Sequence, residues 1–334
     1  MTQSNISNLK LNPITLKNNS VFVLFFIAAA VFFGFASGFR LFGDGRDYLA
    51  YEYVYRIMRP VESFEYYRFE PGYMIVSWIS KFGLGLSFPV FFSMLATFAL
   101  SVKFLIFKNY SRPWFVVIFY LCVFYPLHDY TQLRLAVALA FVLIGTESYF
   151  KGRWGLFGGM MALAFSFHTS SIVLVPLIIG GHYFSDRNLF IGISIIAVGS
   201  LSLGVFFNNF IGLVSSYNPL IGGYVANIDK QSANLFSGAN ILTFVLIAIL
   251  LYRFKSLDRP KKTALLLALA GMFLFVSFQF SPVMAHRLKE MLWVFLLPIA
   301  FKKEGDLISM GQNAVALSLA GWSLYSAMTR QIIG

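Results

Sequence analysis

Long apolar stretches alternate with short polar segments along most of the chain. The first stretch, residues 21–39, contains no charged residue. A helix needs about 20 mostly apolar residues to cross a bilayer, so we predict that 21–39 is an uncleaved first span. Further apolar stretches follow at 72–86, 88–107, 113–127, 133–150, 154–167, 169–184, 189–207, 238–252, 263–281, 287–301 and 307–326. The pattern predicts an all-α polytopic membrane protein.

Two long polar segments interrupt this pattern. Residues 40–71 carry five arginines and six acidic residues, for a net charge of −1, together with six tyrosines. Residues 208–237 are rich in Asn, Ser and Gly. We predict that 40–71 is a partly helical outer loop and that 208–237 is a second outer loop. Residues 1–20 would form the cytoplasmic N-terminus of a single transmembrane domain that covers 1–334.

The composition excludes a soluble protein. Charged residues make up 12% of the chain, against about 25% in globular proteins, and they are too few to cover the surface of a soluble fold. This excludes a cytosolic enzyme, a nucleic-acid-binding module and a disordered protein. The single cysteine, Cys122, excludes an internal disulfide and a Cys-rich metal cluster. We expect no metal, no other cofactor and no nucleic-acid partner.

The net charge of +12 is mainly a signal of orientation. Excess Lys and Arg in short loops marks the cytoplasmic side of a membrane protein. The basic clusters are Lys103 with Lys108 and Arg112, Lys151 with Arg153, Arg253 with Lys255, Arg259, Lys261 and Lys262, and Lys302 with Lys303. If the intervening stretches pair as spans, all four clusters face the cytoplasm, and both long polar segments face outside.

One part of the chain does not fit this alternation. With 40–71 outside and Lys108 inside, residues 72–107 must cross an odd number of times, yet they hold two apolar stretches. The break at 83–89, Gly-Leu-Gly-Leu-Ser-Phe-Pro, allows 72–86 to re-enter the membrane or to lie along its interface. We therefore predict about 11 transmembrane helices and one re-entrant or interfacial helix.

Four groups of charged or titratable residues do not suit a lipid-facing helix, where such side chains are costly and usually functional. All four fall on the predicted outer side. They are Arg40, Asp44, Asp47 and Glu70 of the 40–71 loop, then Arg134, then His168, and finally Arg287 with His286, Lys289 and Glu290.

Each group also has a structural explanation. Opposite charges within 40–71 can pair with one another, and Glu70 can cap the helix that follows it. Arg134 can snorkel to the interface or pair with Asp129. His168 can be a hydrogen-bonded structural residue, and the late basic residues can anchor a helix end.

Their convergence on one face indicates a site for a diphosphate. Arginine is a planar fork suited to phosphate oxygens, so Arg40, Arg134 and Arg287 can hold a diphosphate and stabilise its charge as it leaves. An acceptor hydroxyl also needs a proton acceptor. The candidates for that role are His168, Asp44, Asp47 and Glu70. Dense tyrosines, among them Tyr48 and Tyr51, offer flat faces suited to sugar rings.

In order and spacing these residues resemble the EpsG family of bacterial polytopic proteins, which are similar to Wzy-type polysaccharide polymerases. The resemblance covers residues 40–300 and departs where Leu135 follows Arg134, since the family often has Gln there. It is carried by Arg40, Asp47-Tyr48-x-x-Tyr51, Glu70-Pro71-Gly72-Tyr73, Arg134, Phe167-His168-x-Ser170 and Arg287.

The resemblance implies a glycosyltransferase of the bacterial inner membrane that acts at the periplasmic face. Its fold would be similar to that of multi-helix glycosyltransferases with lipid-phosphate donors. It would join oligosaccharide repeat units carried on undecaprenyl diphosphate, without a metal, to extend an O-antigen, a capsule or an exopolysaccharide. Its partners would be the lipid-linked oligosaccharide, the membrane, and a chain-length regulator and a flippase of the same pathway.

Two other functions fit part of the pattern. Intramembrane arginines and broken helices also suit a flippase for lipid-linked glycans, but the cytoplasmic ends of the stretches carry mainly simple basic clusters. A membrane acyltransferase that modifies surface sugars would use His168 as its base, but no route for an acyl donor is identifiable in the sequence.

Overall fold

The computed structural model describes residues 15–43, 46–60, 69–185, 189–217, 233–303 and 305–329 of the 334-residue chain. Over this part the chain is helical and contains no strand, so the predicted all-α class is confirmed. The α-helices are α1 (Thr15–Gly38), α2 (Arg46–Ile57), α3 (Pro71–Trp78), α4 (Phe88–Phe107), α5 (Pro113–Val123), α6 (Leu133–Phe150), α7 (Trp154–Phe167), α8 (Leu174–Phe184), α9 (Leu189–Tyr217), α10 (Gly238–Tyr252), α11 (Arg259–Ser277), α12 (Pro282–Trp293) and α13 (Leu307–Thr329).

Five helices of the described part are long and apolar enough to cross a membrane. They are Ser20–Gly38 within α1, Phe88–Phe107, Leu133–Phe150, Leu189–Asn209 within α9, and Arg259–Ser277. The chain is therefore a membrane protein, as predicted. The total of about 11 crossings stays a prediction, because four further apolar helices are shorter than a full span and the 23-residue α13 is not apolar enough to be counted with the five.

Helix boundaries follow the apolar pattern except where local signals move them. The bounds of α4, α6 and α10 are those predicted. In contrast, α11 begins four residues before the predicted stretch 263–281, because the Asp258 side chain accepts a hydrogen bond from the Lys261 amide at 3.0 Å. Pro260 in the first turn also suits a helix start.

The segment after the first polar loop is too short to span a bilayer. The eight residues of α3 continue into a five-residue π turn, Ile79–Gly83. Together they extend about 20 Å, against a hydrocarbon thickness of about 30 Å. This length favours the re-entrant or interfacial placement that we predict for 72–86.

The polar segments contain more helix than the pattern predicts. Helix α1 begins at Thr15, inside the predicted N-terminal segment 1–20, and α9 continues to Tyr217, ten residues into the predicted loop 208–237. Residues 218–232 lie outside the described part of the chain. The 40–71 loop contains α2, in agreement with its predicted partly helical character.

Helix α2 lies against the start of α4 through a line of tyrosines. Tyr48, Tyr51 and Tyr55 follow one another at helical spacing and are buried. The Tyr48 ring lies 4.9 Å from that of Phe88, and the Tyr55 ring stacks on that of Phe91 at 5.1 Å. This packing holds the polar loop against the helical bundle and places its residues beside α3 and α6.

The structure corrects one of the charges used to predict orientation. Lys103 lies inside α4 rather than in the loop with Lys108 and Arg112, and its side chain is completely buried. Its Nζ donates to Asp129 at 2.6 Å, and the Tyr120 hydroxyl bonds the second oxygen of the same carboxylate. An ammonium buried in this way needs such a partner, so Lys103 is a structural residue and not a topological signal.

Candidate functional site

Glu70 occupies the N-cap position of α3, but its side chain does not bond the helix amides. Pro71 occupies the first helical position, and no side-chain cap hydrogen bond is made by Glu70. Its carboxylate instead pairs with Arg134 Nη1 and accepts a hydrogen bond from the Thr169 amide at 3.3 Å. Glu70 thus stands at the helix start, as its structural explanation requires, but its oxygens bond two other elements and not the amides of α3.

Arg134 lies in the first turn of α6 and is fixed on several sides. Its Nε is 3.4 Å from the Tyr51 hydroxyl, and its guanidinium carbon is 4.3 Å from the centre of the Phe69 ring. The side chain is 17% exposed, so it does not extend into open solvent or headgroups. The alternative pairing with Asp129 is also wrong, since Asp129 pairs with Lys103.

His168 joins the cluster from the end of α7. It stands between α7 and the 3₁₀ turn Thr169–Val173 in an extended conformation. Its Nδ1 lies 3.6 Å from a Glu70 oxygen, which is longer than a hydrogen bond but close enough for ion pairing if the ring is protonated. Residues from three separate parts of the sequence thus meet at one carboxylate.

A close helix contact makes this meeting possible. A Cβ added to Gly72 would lie 2.7 Å from the backbone oxygen of Ser166, near the end of α7. The Gly72 position therefore admits no side chain unless α3 and α7 separate. Glycine is needed here for close packing, and this packing brings Glu70 to His168.

The charge of Glu70 is held by its neighbours. Burial alone would raise the pKa of this carboxyl group, but the His168 imidazole and the Arg134 guanidinium outweigh burial and lower it to about 2. Glu70 is therefore an anion throughout the physiological pH range. A carboxylate with such a low pKa is a weak proton acceptor.

Further charged residues interact electrostatically with Tyr51, which contacts Arg134. Burial raises the pKa of its hydroxyl, while the positive charges of Arg134 and Arg287 act against burial and the negative charge of Asp47 acts with it. Arg287 of α12 and Asp47 of α2 are therefore within electrostatic range of the same group as Arg134. Three of the predicted site residues therefore act electrostatically on one tyrosine.

Tyr48 lies about one helical turn before Tyr51 in α2, and Arg40 lies just after the end of α1. The Arg40 guanidinium lies between two aromatic rings, 4.5 Å from the centre of Tyr48 and 3.9 Å from that of Tyr130. One of its nitrogens donates to the Tyr130 carbonyl at 2.5 Å. These contacts connect the end of α1 to the turn before α6, so Arg40 supports the architecture around the cluster.

The two tyrosines expected to receive sugar rings are packed in protein. Tyr48 is 6% exposed and donates its hydroxyl to the Gly38 carbonyl at 2.9 Å, and Tyr51 is 3% exposed. Their faces contact phenylalanines of α4, such as Phe92. In this conformation they position other residues and offer no open face. Asp44 lies outside the described part of the chain.

The buried Lys103–Asp129 pair is the main polar feature that sequence reasoning misassigned. The signal was present, because Lys103 is the one charged residue within the apolar stretch 88–107. Its closeness to Lys108 made it resemble a loop residue. Phe69 lies under the Arg134 guanidinium, and no feature of the sequence indicated that it belongs to the site.

The arrangement offers anion binding beside a paired imidazole. Arg134 uses Nε and Nη1 for Tyr51 and Glu70, which leaves Nη2 for a ligand. Nδ1 of His168 faces Glu70, which leaves Nε2 for a second ligand. Among the described residues, no three His, Cys, Asp or Glu side chains form a group that could hold a metal ion.

Comparison with known proteins supplies a family. No curated protein and no solved structure matches the chain. The family model that matches is described as the EpsG family, and the match covers residues 23–309. This range includes every residue of the Glu70–Arg134–His168 cluster together with Arg287. The chain is therefore a member of the EpsG family and a membrane protein of the polysaccharide polymerase type.

Proposed function

We propose that this protein polymerises oligosaccharide repeat units carried on undecaprenyl diphosphate, at the outer face of the bacterial inner membrane. The observation that carries the proposal is the cluster in which Glu70 holds Arg134 on one side and His168 on the other. Such a cluster supplies the two groups that glycosyl transfer from a lipid diphosphate needs, a cation for the leaving group and a base for the acceptor.

The donor diphosphate is held by arginine. Nη2 of Arg134 is directed to a phosphate oxygen, while Tyr51 and Glu70 fix the plane of the guanidinium through its other nitrogens. Arg287 approaches the same region from α12. Both cations stabilise the negative charge that grows on the diphosphate as the glycosidic bond breaks. Arg40 contributes indirectly, by holding α1 against the turn before α6.

The acceptor hydroxyl gives its proton to His168. Of the predicted candidates, Glu70 is too weak a base at a pKa of about 2. Its carboxylate orients His168 and stabilises the imidazolium that forms, as the third member of a nucleophile–base–carboxylate arrangement does. Asp47, whose charge acts on Tyr51, remains the second candidate base.

The proposal is tested with purified protein in liposomes supplied with lipid-linked repeat units. Arg134→Ala and Arg287→Ala should each reduce chain formation by about a hundredfold or more, since each removes a cation that stabilises the leaving group. The single lipid-linked unit should persist in both. Gel analysis of chain length gives the measurement. Arg153→Ala, at an exposed position on the predicted cytoplasmic side, is the matched control and should polymerise normally.

Two results would contradict the proposal. Normal chain lengths in both variants would remove the arginines from the reaction. Movement of the lipid-linked unit between leaflets without any polymer, by the wild-type protein, would favour the flippase instead.

A further inference from the structure

A cavity with both polar and apolar walls lies on the same predicted outer side as the Glu70–Arg134–His168 cluster. Its volume is about 230 Å³. One wall is the face of α12 that carries His286, Lys289, Glu290 and Trp293, which follow one another at three- and four-residue spacing. The remaining walls are the end of α5, the start of α10 and the C-terminal half of α13. All these helix ends fall on the predicted outer side.

Lys289 brings a buried positive charge to this cavity. The residue is 5% exposed, and its Nζ donates to the Asn240 side-chain oxygen at 3.1 Å and lies 3.3 Å from His286 Nδ1. It also lies over the rings of Phe275 and Trp293, at 4.2 and 4.7 Å. An ammonium has three donors, and none of the described carboxylates pairs with it within 4 Å. Its charge is therefore met by two polar contacts and two aromatic rings, and an oxygen acceptor in the cavity would add the anionic or polar partner that the described residues do not supply.

Trp293 adds a second donor that lacks an acceptor. Its indole nitrogen is buried and makes no hydrogen bond with the described residues. An indole N–H can only donate, and a buried one normally has a partner. This nitrogen has almost no accessible surface, so the donor on this wall that a ligand with oxygen acceptors can reach is Lys289.

The cavity adjoins the diphosphate site. Glu290 lines the cavity and lies beside Gln132, which is two residues before Arg134. Arg287 is within electrostatic range of both Glu290 and Tyr51. A molecule whose phosphates are held at Arg134 and Arg287 would therefore have its attached groups close to this cavity.

We infer that this cavity binds one sugar unit of the lipid-linked glycan. The inference rests on the proposed function, which supplies the sugar next to the phosphates. Lys289 donates to a sugar oxygen, Glu290 accepts from a sugar hydroxyl, and the exposed ring of Trp322 offers an apolar face. The cavity volume of about 230 Å³ is of the size of a small molecule such as one sugar unit.

The only cysteine of the chain allows occupancy of the cavity to be measured by thiol labelling. Cys122 lines it and is partly exposed. Purified protein in nanodiscs is treated with a small sulfonated methanethiosulfonate, and the rate of Cys122 modification is measured with and without the repeat-unit oligosaccharide released from its lipid. We expect the oligosaccharide to slow modification at least about threefold. Cys122→Ser should take up no label.

Matched variants assign the effect to the cavity. Lys289→Gln should require about tenfold more oligosaccharide for the same protection, since it loses a charged donor. Lys151→Gln removes an exposed lysine that follows the C-terminal end of α6, on the predicted cytoplasmic side and away from the cavity. It should behave as the wild type. Ser326→Phe fills the cavity without removing a buried charge, and it should slow modification even without sugar.

The outcomes separate this inference from the proposed function. Protection that persists in Arg134→Ala supports the sugar cavity even if polymerisation fails. An unchanged modification rate at saturating oligosaccharide, in a protein that still forms polymer, overturns the cavity and leaves the proposed function standing. Protection by undecaprenyl phosphate alone would show a lipid crevice and would also overturn the inference.

Discussion

At the scale of single residues, Glu70 has the largest number of roles. It neutralises Arg134, accepts a hydrogen bond from the Thr169 amide and faces His168. A charged group near a protein interior is stabilising only when its partners are in place. Removing the Glu70 charge therefore affects both the guanidinium that we assign to the diphosphate and the imidazole that we assign to the acceptor.

Glu70→Gln should destabilise the protein by about 1–3 kcal/mol, because it leaves the Arg134 charge without its carboxylate. Chain formation should also decrease strongly, since His168 loses its orienting charge. The measurements are thermal unfolding in detergent and the polymerisation assay. Glu52→Gln is the control: it breaks an exposed pair with Arg56 in α2 and should change stability by less than about 0.5 kcal/mol. Unchanged stability and unchanged chain formation in Glu70→Gln would show that the Glu70 charge is not needed for either.

The low pKa of Glu70 also predicts a pH dependence of stability. The folded pKa is about 2, below the ordinary value of 4.5. The contribution of Glu70 is therefore complete above pH 4.5 and is lost as the pH falls toward 2. The shift corresponds to about 3 kcal/mol at most. Unfolding midpoints measured at decreasing pH should bring the wild type and Glu70→Gln together, whereas a difference that stays constant with pH would contradict this prediction.

At the scale of helices, the site depends on how closely α3 approaches α7. Glu70 precedes α3 and His168 follows α7, so their separation is set by the contact of Gly72 with Ser166. The tyrosines of α2 act in a similar way, since they fix the outer loop on α4. The site side chains thus lie at helix ends, and their positions are set by packing contacts elsewhere on the same helices.

Gly72→Ala should separate α3 from α7 by a few tenths of an ångström or more, because the new Cβ would meet backbone atoms of Ser166. We expect polymerisation to decrease by about tenfold to a hundredfold, as misplacement of catalytic groups typically causes. Gly159→Ala, in α7, meets no atom within 4 Å and is the control. Equal activity of the two variants would show that the close contact is not needed.

At the scale of the whole molecule, orientation decides which solution the site faces. The basic clusters other than Lys103 still lie near helix ends that share one predicted side, and the cluster residues lie near the opposite ends. The prediction concerns labelling of intact cells in a Cys122→Ser background. A cysteine replacing exposed Tyr53 of α2 should react with an impermeant maleimide, and one replacing exposed Trp154 should react only after permeabilisation. Labelling of both from one side would invalidate the predicted orientation.

Much of the architecture could be predicted from the sequence because it depends on local properties. Apolar length alone predicted the bounds of α4, α6 and α10, and scarce charge predicted a membrane protein. The cost of charge in a lipid environment drew attention to Arg134, His168 and Arg287 before any contact was known. The family resemblance rested on the same residues.

The pairings could not be predicted, because each joins residues far apart in the chain. The sequence offered Asp129 as the neighbour of Arg134, but the fold gives Asp129 to Lys103 and Glu70 to Arg134. Nor did it indicate that Tyr48 and Tyr51 would be packed inside the protein.

The sequence by itself determined that this chain enters a membrane. It also singled out the few polar residues that need a structural or functional reason to be there, since burial of charge is costly wherever it occurs. Only the tertiary structure decided which of those residues share a site. Helix packing, at contacts such as that of Gly72 with Ser166, sets the distances between helix ends. A difference of a few ångströms in these distances decides which charged side chains form a pair.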